Sequence, residues 1–182
     1  MSTTETPRIA PALRQLYLVR FGFAVIWAAL LFATGSDIGV VSGTLLIVYP
    51  LFDVAAAIFD LRTSRGTRPA AGLYVNIGLS LLTAIGLAVA VGSGIPDVLR
   101  VWGVWAITAG LVQLVVALGR RGMGGQLPMI LSGGISVLAG AGFATQASAG
   151  DPSLTNLAGY ATLGGIFFLV SALRLGRTAK EA

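Results

Sequence analysis

Six apolar runs, each close to a bilayer's thickness in helical length, alternate with short polar connectors along the chain. A helix needs about 20 predominantly apolar residues to cross a hydrocarbon core of ~30 Å, so each run predicts one membrane-spanning helix. The predicted spans cover 13–34, 39–61, 70–91, 98–118, 127–144 and 154–173. The connectors carry turn chemistry, as in Gly92-Ser93-Gly94-Ile95-Pro96-Asp97 and Gly150-Asp151-Pro152-Ser153. There Gly and Pro interrupt the helical pattern, and Asp or Ser offers an N-cap to the next helix. The expected fold is an all-α integral membrane domain over 13–176, made of hairpins 13–61, 70–118 and 127–173. Tails over 1–12 and 177–182 flank it.

Composition points the same way. Of 182 residues, 55% are apolar and only 10% charged, with a mean hydropathy of +0.87. Soluble domains carry about 25% charged residues, so this chain has too few charges to cover a water-facing surface. Lipid is the solvent for most of it.

The placement of charge then gives an orientation. Arg8 and Arg14 stand in the N-terminal tail and at the very start of the first span. Arg62, Arg65 and Arg68 fill the second connector, Arg120 and Arg121 the fourth, and Arg174, Arg177 and Lys180 end the chain. The other three connectors carry Asp37, Asp97 and Asp151, with Arg100 the one base nearby. Basic connectors stay cytoplasmic, so both termini are expected inside. The formal net charge of +5 falls in short clusters between apolar runs rather than along one helix face, which argues against nucleic acid. Anionic lipid headgroups are the expected partners of Arg62, Arg65, Arg68, Arg120, Arg121, Arg174 and Arg177, at about 1 kcal/mol each. A signal peptide is the rival reading of the first run. The run is long for one, and Ala33-Thr34-Gly35 makes a poor cleavage site.

The chain has no Cys and no His. That removes disulfides, thiolate or imidazole zinc sites and the usual general base at neutral pH. No cofactor or metal is expected. Gly122-Met123-Gly124-Gly125 lacks the Gly-Lys-Ser/Thr ending of a phosphate loop. Intramembrane enzymes need clustered carboxylates, His or an activated Ser, and scattered Ser residues beside one buried Asp fall short. The expectation is a protein that is not an enzyme. Arg used almost to the exclusion of Lys, with abundant Ala, Gly and Val, suggests a GC-rich bacterial source and hence a bacterial inner membrane.

The odd-numbered spans align without gaps. Gly22, Gly78 and Gly134 recur at a constant interval of 56 residues, as do Arg20, Asn76 and Ser132, then Ala24, Ser80 and Ser136, then Ala28, Ala84 and Gly140. The even spans repeat more loosely, each with an aromatic residue (Tyr49, Trp105, Tyr160) and a Leu close to Arg at its end. Three tandem hairpins of one orientation predict a pseudo-threefold axis along the membrane normal, unlike the inverted repeats of many transporters.

The chain resembles the HdeD-like acid-resistance membrane proteins. The resembling residues are Arg20 with Gly22, Tyr49-Pro50-Leu51-Phe52-Asp53, Trp105-Ala106-Ile107-Thr108-Ala109-Gly110 and Ala172-Leu173-Arg174. The similarity extends over roughly 14–176, although Val54 stands where a Gly is expected. It implies a bacterial inner-membrane protein tied to acid or envelope stress, with no defined reaction.

An ionisable group inside hydrocarbon costs about 2.5–3.5 kcal/mol on insertion scales and needs a reason. Asp53 lies about 12 Å from the end of the second span, and Arg20 about 10 Å into the first, at ~1.5 Å per residue. Consecutive antiparallel helices put the two at one level, which predicts an ion pair in the cytoplasmic half. It either locks two helices together or serves as a proton or cation site, and Arg20 could instead snorkel. Asn76, Gln113 and Ser132 are expected in the same polar cluster. Gly22, Gly78, Ser80, Gly134, Ser136 and Gly140 are expected to form a small-residue packing stripe, or to line a narrow polar path. Pro50 predicts a kink one turn before Asp53. The leading expectation is a non-enzymatic stress protein. A small-solute or proton-responsive transporter or channel is the alternative, and a homo-oligomer or another membrane protein is the partner class the chain leaves open.

Overall fold

The computed structural model describes residues 6–63, 70–119 and 127–181, with side chains described for 11–63, 70–119 and 127–176. All its secondary structure there is helical: α1 (Thr6–Thr34), α2 (Val40–Thr63), α3 (Ala71–Ala90), α4 (Ile95–Gly119), α5 (Leu127–Gln146) and α6 (Thr155–Glu181). Each of the six contains a segment long and apolar enough to cross a membrane. The chain is a multi-pass, all-helical membrane protein.

The helix ends depart from the sequence reading where caps were misjudged. α1 begins well before Leu13 and α6 runs on to Glu181, because no Gly or Pro follows Gly176 to stop it. Residues 6–12 and 177–181 of the expected tails are therefore helical. α4 starts at Ile95, so Asp97 sits inside the first turn and not at the cap. Pro96 carries no N–H and fits a first turn at no cost, and Gly94, at φ 115°, makes the sharp entry that only glycine adopts easily. Asp97 pairs instead with Arg100 at 2.6 Å on the surface, where such a pair contributes little. Ser42, in the first turn of α2, closes the α1–α2 connector by accepting from the Gly39 N–H and donating to the Asp37 carbonyl, both at 2.9 Å. α2 continues unbroken through the buried Pro50.

The six helices close into a ring in chain order. Among the described residues each helix backbone approaches only its two neighbours, with α6 returning to α1. The contacts are uneven. The most extensive join α4 to α5 and α1 to α6, with α2 and α3 next, and the contact between α5 and α6 is slight. The broadest packing thus lies between successive hairpins and not within them.

Glycine explains the closest of these interfaces. A Cβ on Gly103 would lie 2.8 Å from the Gly140 carbonyl oxygen, and one on Gly140 2.6 Å from that of Gly103. Gly110 and Gly133 repeat the reciprocal contact at 2.7 and 2.9 Å. Two glycines on each antiparallel helix thus let α4 and α5 meet backbone to backbone, as small residues do in lipid, where apolar burial gives no drive to associate.

Inside the ring, toward the α1–α2 and α3–α4 connectors, lies an aromatic plug. Trp27 of α1 stacks on Trp102 of α4 across the interior at 5.4 Å, Tyr49 meets Trp27 edge-on at 4.6 Å, and Trp105 meets Trp102 at 5.4 Å. Leu31, Leu46, Leu87, Val98, Leu99 and Leu154 fill the space around them. Outward, large apolar side chains stand free on the ring's rim, such as Ile26, Phe32, Leu82, Val89 and Leu138. That inversion of a soluble surface is what hydrocarbon solvent demands.

Candidate functional site

The polar centre forms where α1, α2 and α3 meet. Asp53 sits near the middle of α2 and is 8% exposed. Its Oδ1 receives the guanidinium of Arg20 in an ion pair. Its Oδ2 accepts from the Asn76 side-chain amide at 2.6 Å and from the Ser80 hydroxyl at 2.9 Å. Asn76 and Ser80 stand one turn apart on α3 and so present both donors on one face. The far side of Arg20 is covered by Phe168 of α6, whose ring centroid lies 4.4 Å from Cζ. One carboxylate and one guanidinium therefore tie together four consecutive helices of the ring.

An ionised carboxylate offers about four lone-pair sites, and three donors from two other helices fill most of them here. Buried charges persist only when paired and hydrogen-bonded, and this one is both. The arrangement neutralises the group where it stands, with Arg20 sandwiched between carboxylate and aromatic ring.

Not every residue expected in the cluster is there. Gln113 on α4 and Ser132 on α5 are half-buried, and neither is among the partners of Asp53. The backbones of those two helices do not approach α2, and α4 meets it through Trp102 and Trp105 against Tyr49, so a shared depth does not bring Gln113 and Ser132 to Asp53. The packing stripe divides in the same way. Ser80, Ser136 and Gly140 are buried between helices, whereas a Cβ built on Gly22, Gly78 or Gly134 would meet nothing within 4 Å. Gly78 and Ser80 are two residues apart, about 200° around a helix of 3.6 residues per turn. They cannot share a face. Among the expected lipid contacts, Arg62 and Arg174 are exposed; Arg65, Arg68, Arg120, Arg121 and the Arg177 side chain lie outside the described residues.

The structure also holds contacts that the sequence did not announce. The Tyr160 hydroxyl of α6 donates to Ser136 Oγ of α5 at 2.9 Å, and Tyr160 meets Phe143 edge-on at 5.6 Å. These reinforce the slight α5–α6 contact. The Trp27 indole N–H donates to the Leu45 carbonyl at 2.6 Å, joining α1 to α2. The recurrence of Ser136 with Ser80 in the repeat was the available signal for the first of these. Phe168 under Arg20 had none. Among the described residues no three His, Cys, Asp or Glu side chains gather as a metal would need.

No family model matches the chain. Neither a curated protein nor a solved structure does. The functional reading therefore rests on the polar centre and on what lies around it.

Proposed function

We propose that this chain is a non-enzymatic multi-pass protein of a bacterial inner membrane, of HdeD-like type, that serves acid or envelope stress tolerance as a sealed helical ring. Both termini are cytoplasmic in this reading, and its partners are anionic lipids and either a second copy or another membrane protein. The observation that carries the non-transporting part is the engagement of both Asp53 oxygens by protein donors. A carrier or channel site needs a carboxylate with room for a cargo, and here Arg20 lies against Oδ1 while Asn76 and Ser80 both donate to Oδ2. The aromatic plug of Trp27, Tyr49, Trp102 and Trp105 lies beyond it on the way to the other side. The Arg20–Asp53 pair then acts as a helix lock.

The stress role rests on the resemblance, in Arg20 with Gly22, Tyr49 to Asp53, Trp105 to Gly110 and Ala172 to Arg174. The pseudo-threefold reading gains support from the three broader interfaces, each joining an even helix to the next odd one around the ring. At equivalent positions Ser80 faces Asp53, Ser136 crowds Gly110 and Ala24 crowds Gly165. One interface is polar and the other two are packed on glycine.

The test pairs two measurements. Wild-type protein in proteoliposomes under a pH gradient should pass protons no faster than protein-free vesicles, and Asp53→Asn should not alter that. Cells lacking the chain should survive an acid challenge less well, with survival restored by the wild-type gene. Proton flux that disappears in Asp53→Asn would make the chain a transporter or channel, and unchanged acid survival would remove the stress role.

A further inference from the structure

The slight contact between α5 and α6 leaves a groove of about 810 Å³, open along one side and floored by α1. Small residues open it between larger apolar ones: Ala28 and Ala29 of α1, Ala139 of α5, and Ala158 and Gly159 of α6. All belong to the half of the ring nearest the α1–α2 and α5–α6 connectors. The groove therefore opens at hydrocarbon depth within one leaflet, if the chain spans the bilayer as its six apolar helices require.

The polar atoms along it are already engaged. Thr162 Oγ1 donates to the Ala158 carbonyl at 2.9 Å, and Tyr160 donates to Ser136. A water needs two to four polar partners and finds none free there. The exception is at one end. Asn156, in the first turn of α6, lines the groove, is exposed and has no hydrogen-bond partner among the described residues. Beside it the Thr155 hydroxyl accepts from Ser153 at 2.9 Å and keeps its own O–H to donate at the same end. The groove is thus apolar along its length and polar at its shallow end. A phospholipid has the same polarity, with a long acyl chain hanging from ester carbonyls that can accept from an amide.

We propose that this groove holds one acyl chain of a membrane phospholipid, with the glycerol ester region at Asn156, as a retained lipid distinct from the surrounding annulus. The lipid completes the ring at the one seam where protein packing is thin, by filling space that would otherwise be an unpacked void beside Tyr160.

Gly159 gives a clean way to empty the groove. A Cβ there meets nothing within 4 Å, so Gly159→Leu adds bulk to the groove without displacing backbone. Gly142 on α5 is equally open but does not line the groove, and Gly142→Leu is the control. The protein is placed in phosphatidylcholine–phosphatidylglycerol vesicles containing a phospholipid with a diazirine on its acyl chain, irradiated, and its adducts mapped. A several-fold excess of adducts at Ala139, Gly159 and Leu163 over Leu82 and Val89, lost in Gly159→Leu and kept in Gly142→Leu, is the expected result. Even labelling of all lipid-facing positions, or an excess that survives Gly159→Leu, would each overturn the proposal. Failure of every span to label would overturn the membrane reading beneath it as well.

Discussion

At the scale of single residues, a carboxylate in the middle of a span has to be answered by donors, and Asp53 is answered by Arg20, Asn76 and Ser80. Removing one member of a buried ion pair typically costs about 3–5 kcal/mol, whereas replacing both with apolar groups of similar volume is often neutral. Neutral hydrogen bonds between spans average only about 0.6 kcal/mol. Arg20→Met alone should therefore destabilise the folded protein by about 2–4 kcal/mol, between the cost of a broken pair and that of a charge in lipid. Asn76→Ala or Ser80→Ala should cost about 0.5–1.5 kcal/mol. The double variant Arg20→Met with Asp53→Leu should recover most of the loss. Equilibrium unfolding in bicelles, analysed as a double-mutant cycle, reads all of these. A double variant as unstable as the sum of its singles would deny that the pair acts as a unit. The pair itself was legible in the sequence, because two rare charges on consecutive antiparallel spans fall at one depth. Gln113 and Ser132 show the limit of that reasoning, since depth carries no information about which helices are neighbours.

At the scale of elements, the spans could be read from their apolar length, but their ends and contacts could not. Pro96 marked a helix start that the connector's glycines concealed, and α6 outruns its apolar stretch because its last turns hold no Pro and several good helix formers beside the single Gly176. The glycine recurrence at Gly22, Gly78 and Gly134 looked like a packing stripe and faces open space, while Gly103, Gly110, Gly133 and Gly140 carry the α4–α5 approach. A seven-residue spacing on each of two helices was the signal, and it was masked by the many other glycines, of which the chain has 25 in all. The two sets should part on substitution. Gly140→Ala would place a methyl 2.6 Å from the Gly103 oxygen and 2.7 Å from Ile107 Cγ1, and such overpacking costs about 1–3 kcal/mol. Gly134→Ala meets nothing and should be neutral or stabilising by up to about 1 kcal/mol, since glycine is the poorer helix former. Unfolding free energies of the two variants, measured side by side, check the difference. Equal effects would mean that the α4–α5 interface is looser than its backbone contacts imply.

At the scale of the whole molecule, one asymmetry of the chain bears on its orientation, the concentration of basic residues in the connectors on one side of the spans. Of the described bases that are not held by the polar centre, Arg14, Arg62 and Arg174 lie near the free ends of α1 and α6 and the far end of α2, while Arg100 is paired with Asp97 on the opposite side. Positive residues retained in the cytoplasm would fix the α1–α2, α3–α4 and α5–α6 connectors outside. That orientation also sets which leaflet feeds the α5–α6 groove and from which side Asp53 is nearer to water. The absence of cysteine makes it directly measurable, because any thiol introduced is the single one. Asp97→Cys and Asp151→Cys, both on exposed or half-exposed connector-side positions, should react with a membrane-impermeant maleimide added to intact spheroplasts. Arg62→Cys should react only after the membrane is opened. The reverse pattern would invert the protein, move the groove to the cytoplasmic leaflet and place Arg20 and Asp53 nearer the outer surface. A helix lock would survive that inversion unchanged, since its partners are all within the ring; a stress role that depends on cytoplasmic contacts through the basic ends would not.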